Sequence, residues 1–475
     1  MSKTLVISNA TVIDVETGGK NPSDILVEGE RIVGIGPVGS LAIPADARTV
    51  DATGRYAIPG LWDAHVHMTS YGEMGDTIFP LYAGYGVTSV RDMGGHLETL
   101  LAYRDKALQK DRFAPRIWYA GPFINSTPAY LPPNPKKGSK SVEVDTRKEA
   151  HQLVDTLVEA GVHFIKPYEM LLPEAFTALA ERAKHHGLKL AGHTPISMTI
   201  ADILEIVPDY DIQHLGGFAG IKVECACHGE LLHRQRTALL AERRAKADSE
   251  TAGNKILLNV VKDLPTYPED QDPDKRAAMI ELFVEKGTWH TPTFMIMTSH
   301  ASLGFDKDPE LIKSFQYLPK GLVAAGKAEW ESLREVLEYY YSWEQWHMET
   351  VGLLHEAGVP LLAGTDGPSP SRGGGGILLH FELQAMVQAG LSPLEALRTA
   401  TINPAKFLEI EDDLGALAEG KYADLVLLDK DPLEDIRNTL SINSVFSRGQ
   451  YLDRSALDDL FAGLAKEAAA EEPCQ

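Results

Sequence analysis

Ala57-Ile58-Pro59-Gly60-Leu61-Trp62-Asp63-Ala64-His65-Val66-His67 is an apolar strand that ends in two histidines. Side chains two apart on a strand point to the same face. Both imidazoles can therefore reach one metal ion, provided the strand's polar end opens onto a site. A pair of satisfied core histidines would show the same spacing, so the rest of the chain has to decide.

Working outward, short apolar strands alternate with helical stretches, the pattern of a parallel α/β sheet. Eight candidate strands follow: Tyr56–His67, Gly86–Met93, Arg116–Asn125, His163–Glu169, Leu188–Thr194, Asp211–Gly217, Thr288–Phe294 and Pro360–Gly367. Thr146-Arg147-Lys148-Glu149 reads as a capping box that opens a helix closing at Gly161. Eight such units predict a closed (β/α)8 TIM barrel over residues 57–418. Strand-and-turn patterns also occupy both ends, as in Asp24-Ile25-Leu26-Val27 and Ala423-Asp424-Leu425-Val426-Leu427-Leu428. Neither end has enough strands for a sheet of its own. Residues 1–56 and 419–475 are therefore expected to share a small β-sandwich domain. Two long insertions, about 218–286 and 295–350, fall in connections that open on the face where barrels keep their active sites. They can cover the substrate pocket or form an oligomer contact.

The polar residues at strand ends carry the chemistry. Lys166 lies in the fourth strand, His193 ends the fifth, His214 the sixth and Asp366 the eighth. With His65 and His67, four of the 16 histidines stand where barrel enzymes place catalytic side chains. Lys166, between Phe164, Ile165 and Pro167, is costly to bury as a cation. Desolvation makes the amine neutral and nucleophilic. Such an amine can capture carbon dioxide as a carbamate able to bridge two metals; a lysine that snorkels to the barrel rim or pairs with Glu169 is the alternative. Tyr168, which shares the inward face with Lys166, His290 on the seventh strand and Arg372 before a glycine run are candidate substrate contacts. Arg372 would grip a carboxylate as a planar fork. Gly373–Gly376 has no following Lys-Ser/Thr, so it is read as a flexible loop and not a phosphate cradle. Cys225-Ala226-Cys227-His228 lacks a second ligand pair and is read as structural.

Composition excludes other classes. A net charge of −22 repels nucleic acid and anionic membrane, so neither is expected as a partner. Three cysteines in 475 residues give no disulfide framework, and Met1–Ala10 lacks a continuous apolar run. No stretch reaches the roughly 18–20 apolar residues of a membrane span. A cytoplasmic location is expected.

These motifs resemble the amidohydrolase superfamily, and within it the imidazolonepropionase-like and Xaa-Pro-dipeptidase-like branch. The likeness extends to Gly86-Val87-Thr88-Ser89-Val90-Arg91-Asp92, Gly364-Thr365-Asp366, Leu391-Ser392-Pro393-Leu394-Glu395-Ala396-Leu397, Ala400-Thr401-Ile402-Asn403-Pro404-Ala405 and Gly420-Lys421-Tyr422-Ala423-Asp424-Leu425-Val426. The resemblance implies two divalent ions, zinc by default with manganese or cobalt fitting similar sites. One would be held by His65, His67 and Asp366, the other by His193 and His214, with carboxylated Lys166 between them. It implies hydrolysis of a small-molecule amide or peptide-like C–N bond by hydroxide generated at the paired metals, Asp366 acting as general base and then acid, in a homo-oligomer. A lactone or ester hydrolase uses the same site. A one-metal deaminase or imidazolone-type hydrolase would not need Lys166, and a non-catalytic scaffold would not need the six ligands.

Overall fold

The computed structural model describes residues 4–470 apart from 71, 110–111, 130–139, 218–219, 247–255, 257–258, 261, 265 and 333. The part of the first insertion at 247–255 thus lies outside the described residues.

Strands β1 (Thr4–Ile13), β2 (Lys20–Glu28), β3 (Arg31–Pro37), β4 (Arg48–Asp51) and β5 (Tyr56–Pro59) come from the first part of the chain. Nine further strands follow: β6 (Leu61–Val66), β7 (Val87–Asp92), β8 (Arg116–Tyr119), β9 (Phe123–Asn125), β10 (Ser141–Glu143), β11 (Phe164–Ile165), β12 (Lys189–Gly192), β13 (Asp211–Gln213) and β14 (Trp289–Thr291). The last are β15 (Leu425–Leu428), β16 (Ile442–Ser447) and β17 (Gln450–Leu452). One eight-stranded sheet runs β17-β16-β15-β5-β1-β2-β3, with β4 paired to β1. Its strand β15 faces two cores by simple alternation. Leu425 and Leu427 join Ile7, Val12, Ile25 and Val27 on one side, while Val426 and Leu428 join the main core.

The middle of the chain forms parallel ladders, β6-β7-β8 and β11-β12-β13-β14, and the molecule has a mixed α/β fold with parallel sheets. Isolated parallel bridges join Ile124 to Pro167, His290 to Leu361 and Val66 to Gly367. Several strands are shorter than the hydrophobic pattern predicts. Pro167, which has no N–H, stands two positions past the end of β11, after Lys166. Pro122 stands in the gap that divides Arg116–Asn125 into β8 and β9. His214, Leu215, Thr293 and Asp366 all take positive φ, 52–58°, which ends extended structure just where the polar residues begin. Residues 360–367 form no ladder of their own but lie against β6, with Ala64 N–H donating to Ala363 and Asp366 N–H to His65.

The capping box forms as expected: Thr146 and Glu149 cap helix Arg147–Glu159 reciprocally, and Gly161 follows at φ 76°. The first insertion supplies helices Gly220–Glu224, Gly229–Ala245 and Pro273–Lys286; the second supplies Lys320–Ser332, Arg334–Tyr341 and Glu344–Glu356 among others. The two meet where the Thr266 hydroxyl lies 3.1 Å from that of Tyr339. Among the described residues no helix is long and apolar enough to cross a membrane.

Candidate metal centre

Strand β6 carries His65 and His67 to the end of its ladder with β7, where the register shifts between Asp63 and Val66. The two Nε2 atoms lie 3.3 Å apart, and Asp366 Oδ1 sits 3.1 Å from one and 3.0 Å from the other. These three residues could hold a metal ion. His214 stands beside them, its ring 4.7 Å from that of His65 and 4.8 Å from that of His193. The structure thus brings His65, His67, His193, His214 and Asp366 into one cluster. Lys166 is fully buried within electrostatic reach of His65, His193, His214 and Asp366, and its amine has no hydrogen-bond partner among the described residues. The alternative pairing with Glu169 is not made, because that carboxylate takes His193 instead.

The orientation of the imidazoles comes from their outer nitrogens. His65 Nδ1 lies 2.6 Å from Gln213 Oε1, His67 Nδ1 2.7 Å from the Gly94 carbonyl and His193 Nδ1 2.8 Å from Glu169 Oε1. Amide, carbonyl and carboxylate oxygens only accept, so each Nδ1 carries the proton. His214 Nδ1 lies 2.5 Å from Thr293 Oγ1, whose own hydrogen goes to the Pro292 carbonyl, so this nitrogen also donates. All four Nε2 atoms are left with lone pairs. That is the arrangement metal-binding histidines need.

Burial sets the electrostatics. It pulls the Lys166 amine down to about 7 and His214 to about 3, and holds His65 and His193 well below the ordinary histidine range. Burial pushes the Asp366 carboxyl up, but His65, His67 and His214 together keep it well below the usual range. Two further buried carboxylates brace the backbone. Asp63 takes Thr365 N–H at 3.0 Å and its hydroxyl at 2.6 Å, and Asp92 takes Met68 N–H at 2.8 Å. The side chains of His67 and Asp366 retain 15% and 20% of their exposure, so the site opens to solvent on their side.

Tyr168 joins this opening: its ring stacks on Phe123 at 4.7 Å and lies 4.2 Å from that of His193. Two expected contacts are directed elsewhere. The ring of His290 is turned against Phe283 at 4.5 Å, fully buried and without a polar partner. It alternates with Thr291, which bonds Asp211, so one strand position separates it from the inward face. Arg372 donates to the carbonyls of Met295 and Thr298 and to the Tyr341 hydroxyl, and lies 4.4 Å from the Trp330 ring. The fork expected for a substrate carboxylate is occupied by its own chain. The glycines after it are close-packed: a Cβ on Gly374 would come within 2.6 Å of Leu318 and one on Gly375 within 2.9 Å of Leu81. Cys225 is buried, its thiol pushed up to about 12, while Cys227 is exposed. Gln213, Thr293 and the Gly94 carbonyl were not legible as parts of the site, since nothing local marks a neutral residue as a histidine's partner.

The model of the amidohydrolase family matches residues 344–452. The adenine deaminase of Methanococcoides burtonii is 23% identical over 443 residues, 93% of this chain and 56% of that protein. By these matches the chain is similar to the amidohydrolase superfamily. Within that superfamily, the adenine deaminase of Edwardsiella ictaluri is 41% identical over 66 residues, 14% of this chain and 11% of its own. The chain spans about half the length of the Methanococcoides relative (56%). Two solved structures share the fold. A Xaa-Pro dipeptidase with bound methionine matches at TM-score 0.64 and 20% identity, over 95% of this chain and 100% of that one. A bottromycin amidohydrolase matches at 0.68 and 21%, over 100% and 92%.

Proposed function

We propose that this chain is a binuclear metal-dependent hydrolase of amide or peptide-like C–N bonds in small molecules. The reading rests on one observation: four histidines, three of them buried, donate outward through Nδ1 while a lysine amine with no hydrogen-bond partner among the described residues lies buried beside them. His65, His67 and Asp366 would hold one ion, His193 and His214 a second, and Lys166 would bridge as its carbamate. Imidazole and carboxylate donors suit zinc, with manganese or cobalt as alternatives. The isolated bridges beyond the ladders support a closed (β/α)8 barrel over 57–418, and the shared sheet supports a discontinuous β-domain from 1–56 and 419–475.

When bound, the ions supply Lewis acidity and lower the pKa of water. The chain's own residues do the rest. Near neutral pH the Lys166 amine, pulled down to about 7, adds to carbon dioxide; an N–C bond forms and one proton leaves to solvent. Asp366 takes a proton from the attacking water as the C–O bond forms. It returns that proton to the departing nitrogen as the C–N bond breaks, giving an amine and a carboxylic acid, whose remaining proton is then lost to solvent. A lactone or ester would follow the same path with oxygen leaving.

Metal analysis tests this. The protein should carry about two metals per chain and Lys166→Ala at most about one. A single metal untouched by that substitution overturns the binuclear reading. It would favour deamination, which the adenine deaminase relatives make the second reading. Ammonia release from adenine against amine release from N-acyl amino acids separates the two.

A further inference from the structure

The two insertions bury polar groups beside the His214 side of the cluster. Helix Gly220–Glu224 sits directly over the ends of β12 and β13: a Cβ on its Gly220 would approach Thr194 Oγ1 to 3.0 Å and the Leu215 carbonyl to 2.8 Å. From this helix Lys222, 3% exposed, reaches across to the second insertion, its amine 5.5 Å from the Trp343 ring. Trp343 caps helix Glu344–Glu356 and His347 lies one turn on, so both stand on one buried face. His347 touches the Phe294 ring at 5.1 Å, and Phe294 directly follows Thr293, the acceptor for His214. Lys222 also acts electrostatically on both His214 and His347.

These side chains form a set of donors and one acceptor. The Trp343 indole N–H and His347 Nε2 are buried with no hydrogen-bond partner among the described residues. A buried N–H left unmade costs about 1–3 kcal/mol, so such groups call for a ligand. Because His347 bonds the Pro292 carbonyl through its other nitrogen, its Nε2 presents a lone pair and accepts. An ammonium and an indole N–H suit a carboxylate, and an imidazole lone pair suits an N–H close by. In an N-acyl α-amino acid these two groups are separated by a single carbon.

We propose that Lys222, Trp343 and His347 form the subsite that binds the carboxylate and amide N–H of an N-acyl α-amino acid beside the metal centre. This rests on the amide-hydrolase reading and narrows it to secondary amides with a free carboxylate, excluding acyl-prolines, which lack the N–H. Burial pulls the Lys222 ammonium down to about 7, and an anion bound beside it would favour its charged form.

Calorimetric titration of the zinc-loaded protein tests it, with a panel of N-acetyl amino acids, the matching N-acetyl amino acid amides and N-acetylproline. At least one N-acetyl amino acid should bind about tenfold more tightly than its amide, and N-acetylproline about as weakly as the amides. Lys222→Met should reduce the carboxylate preference to within about twofold. Trp343→Phe, which keeps the ring and removes only the N–H, should lose roughly three- to tenfold of carboxylate affinity. Thermal melting identifies any variant that has not folded, and Trp343→Phe then decides alone. Equal affinity for acid and amide, no measurable binding of either, or a preference unchanged in the folded variants overturns the subsite. Amide hydrolysis without carboxylate preference removes the subsite and leaves the activity. Preference without hydrolysis of any amide does the reverse.

Discussion

His65 presents its Nε2 to the cluster because Gln213 occupies its other nitrogen, and Gln213 is itself held. Its amide nitrogen lies 3.3 Å from Thr291 Oγ1, the Thr291 hydroxyl lies 3.0 Å from Asp211, and Arg91 pairs with Asp211 at 2.6 Å. Gln213→Leu should therefore weaken metal binding by about 10–100-fold, read by competition with a chelator. Wild-type affinity in that variant would show that the tautomer is set without Gln213. Asp366→Asn keeps an oxygen for the metal but cannot cycle a proton. It should retain bound metal while kcat falls by about 10²–10⁴-fold, and unchanged turnover would take Asp366 out of the proton path.

At the scale of elements, the site depends on residues 360–367 lying unusually close to β6. Gly364 makes this possible: a Cβ there would sit 2.6 Å from His65 Cβ and 2.9 Å from His65 N. Neither neighbour is the free end of a flexible chain, so Gly364→Ala has to push the strands apart. It should cost about 1–3 kcal/mol of stability, read from urea unfolding, and lower metal occupancy with it. A variant as stable as wild type would mean that the contact has slack. Gly60 plays the same part on the other side, where a Cβ would meet Thr88 Oγ1 at 2.0 Å. Local sequence shows a glycine in each strand but not its neighbour.

Across the whole molecule, fully buried histidines couple stability to pH. Burial holds His290 down to about 3 and His380 to about 4, against an ordinary 6.5. Between 6.5 and those values the unfolded chain binds protons that the folded one refuses. Stability is thus fully present above 6.5 and is lost as pH falls through that window, at about 1.4 kcal/mol per pH unit for each histidine. His290 has no polar partner to lose, so His290→Leu should flatten the fall in the urea midpoint between pH 6.5 and 5. An unaltered slope would assign the acid sensitivity to other groups.

The alternation of apolar strands with helices carried the mixed α/β fold, because periodicity is written in neighbouring residues. The same reading marked His65, His67, Lys166, His193, His214 and Asp366 as polar groups that end apolar strands. Tertiary structure alone decided what each of them touches. Gln213 lies 148 positions from His65 in sequence, and Thr293 lies 79 from His214. Hydrogen bonds across such separations depend on strand register and not on local pattern. The same holds for Arg372, whose charge suits a ligand but whose guanidinium meets the carbonyls of Met295 and Thr298 first. It holds also for Lys222 and His347, which chain order places far apart and packing of the two insertions brings together.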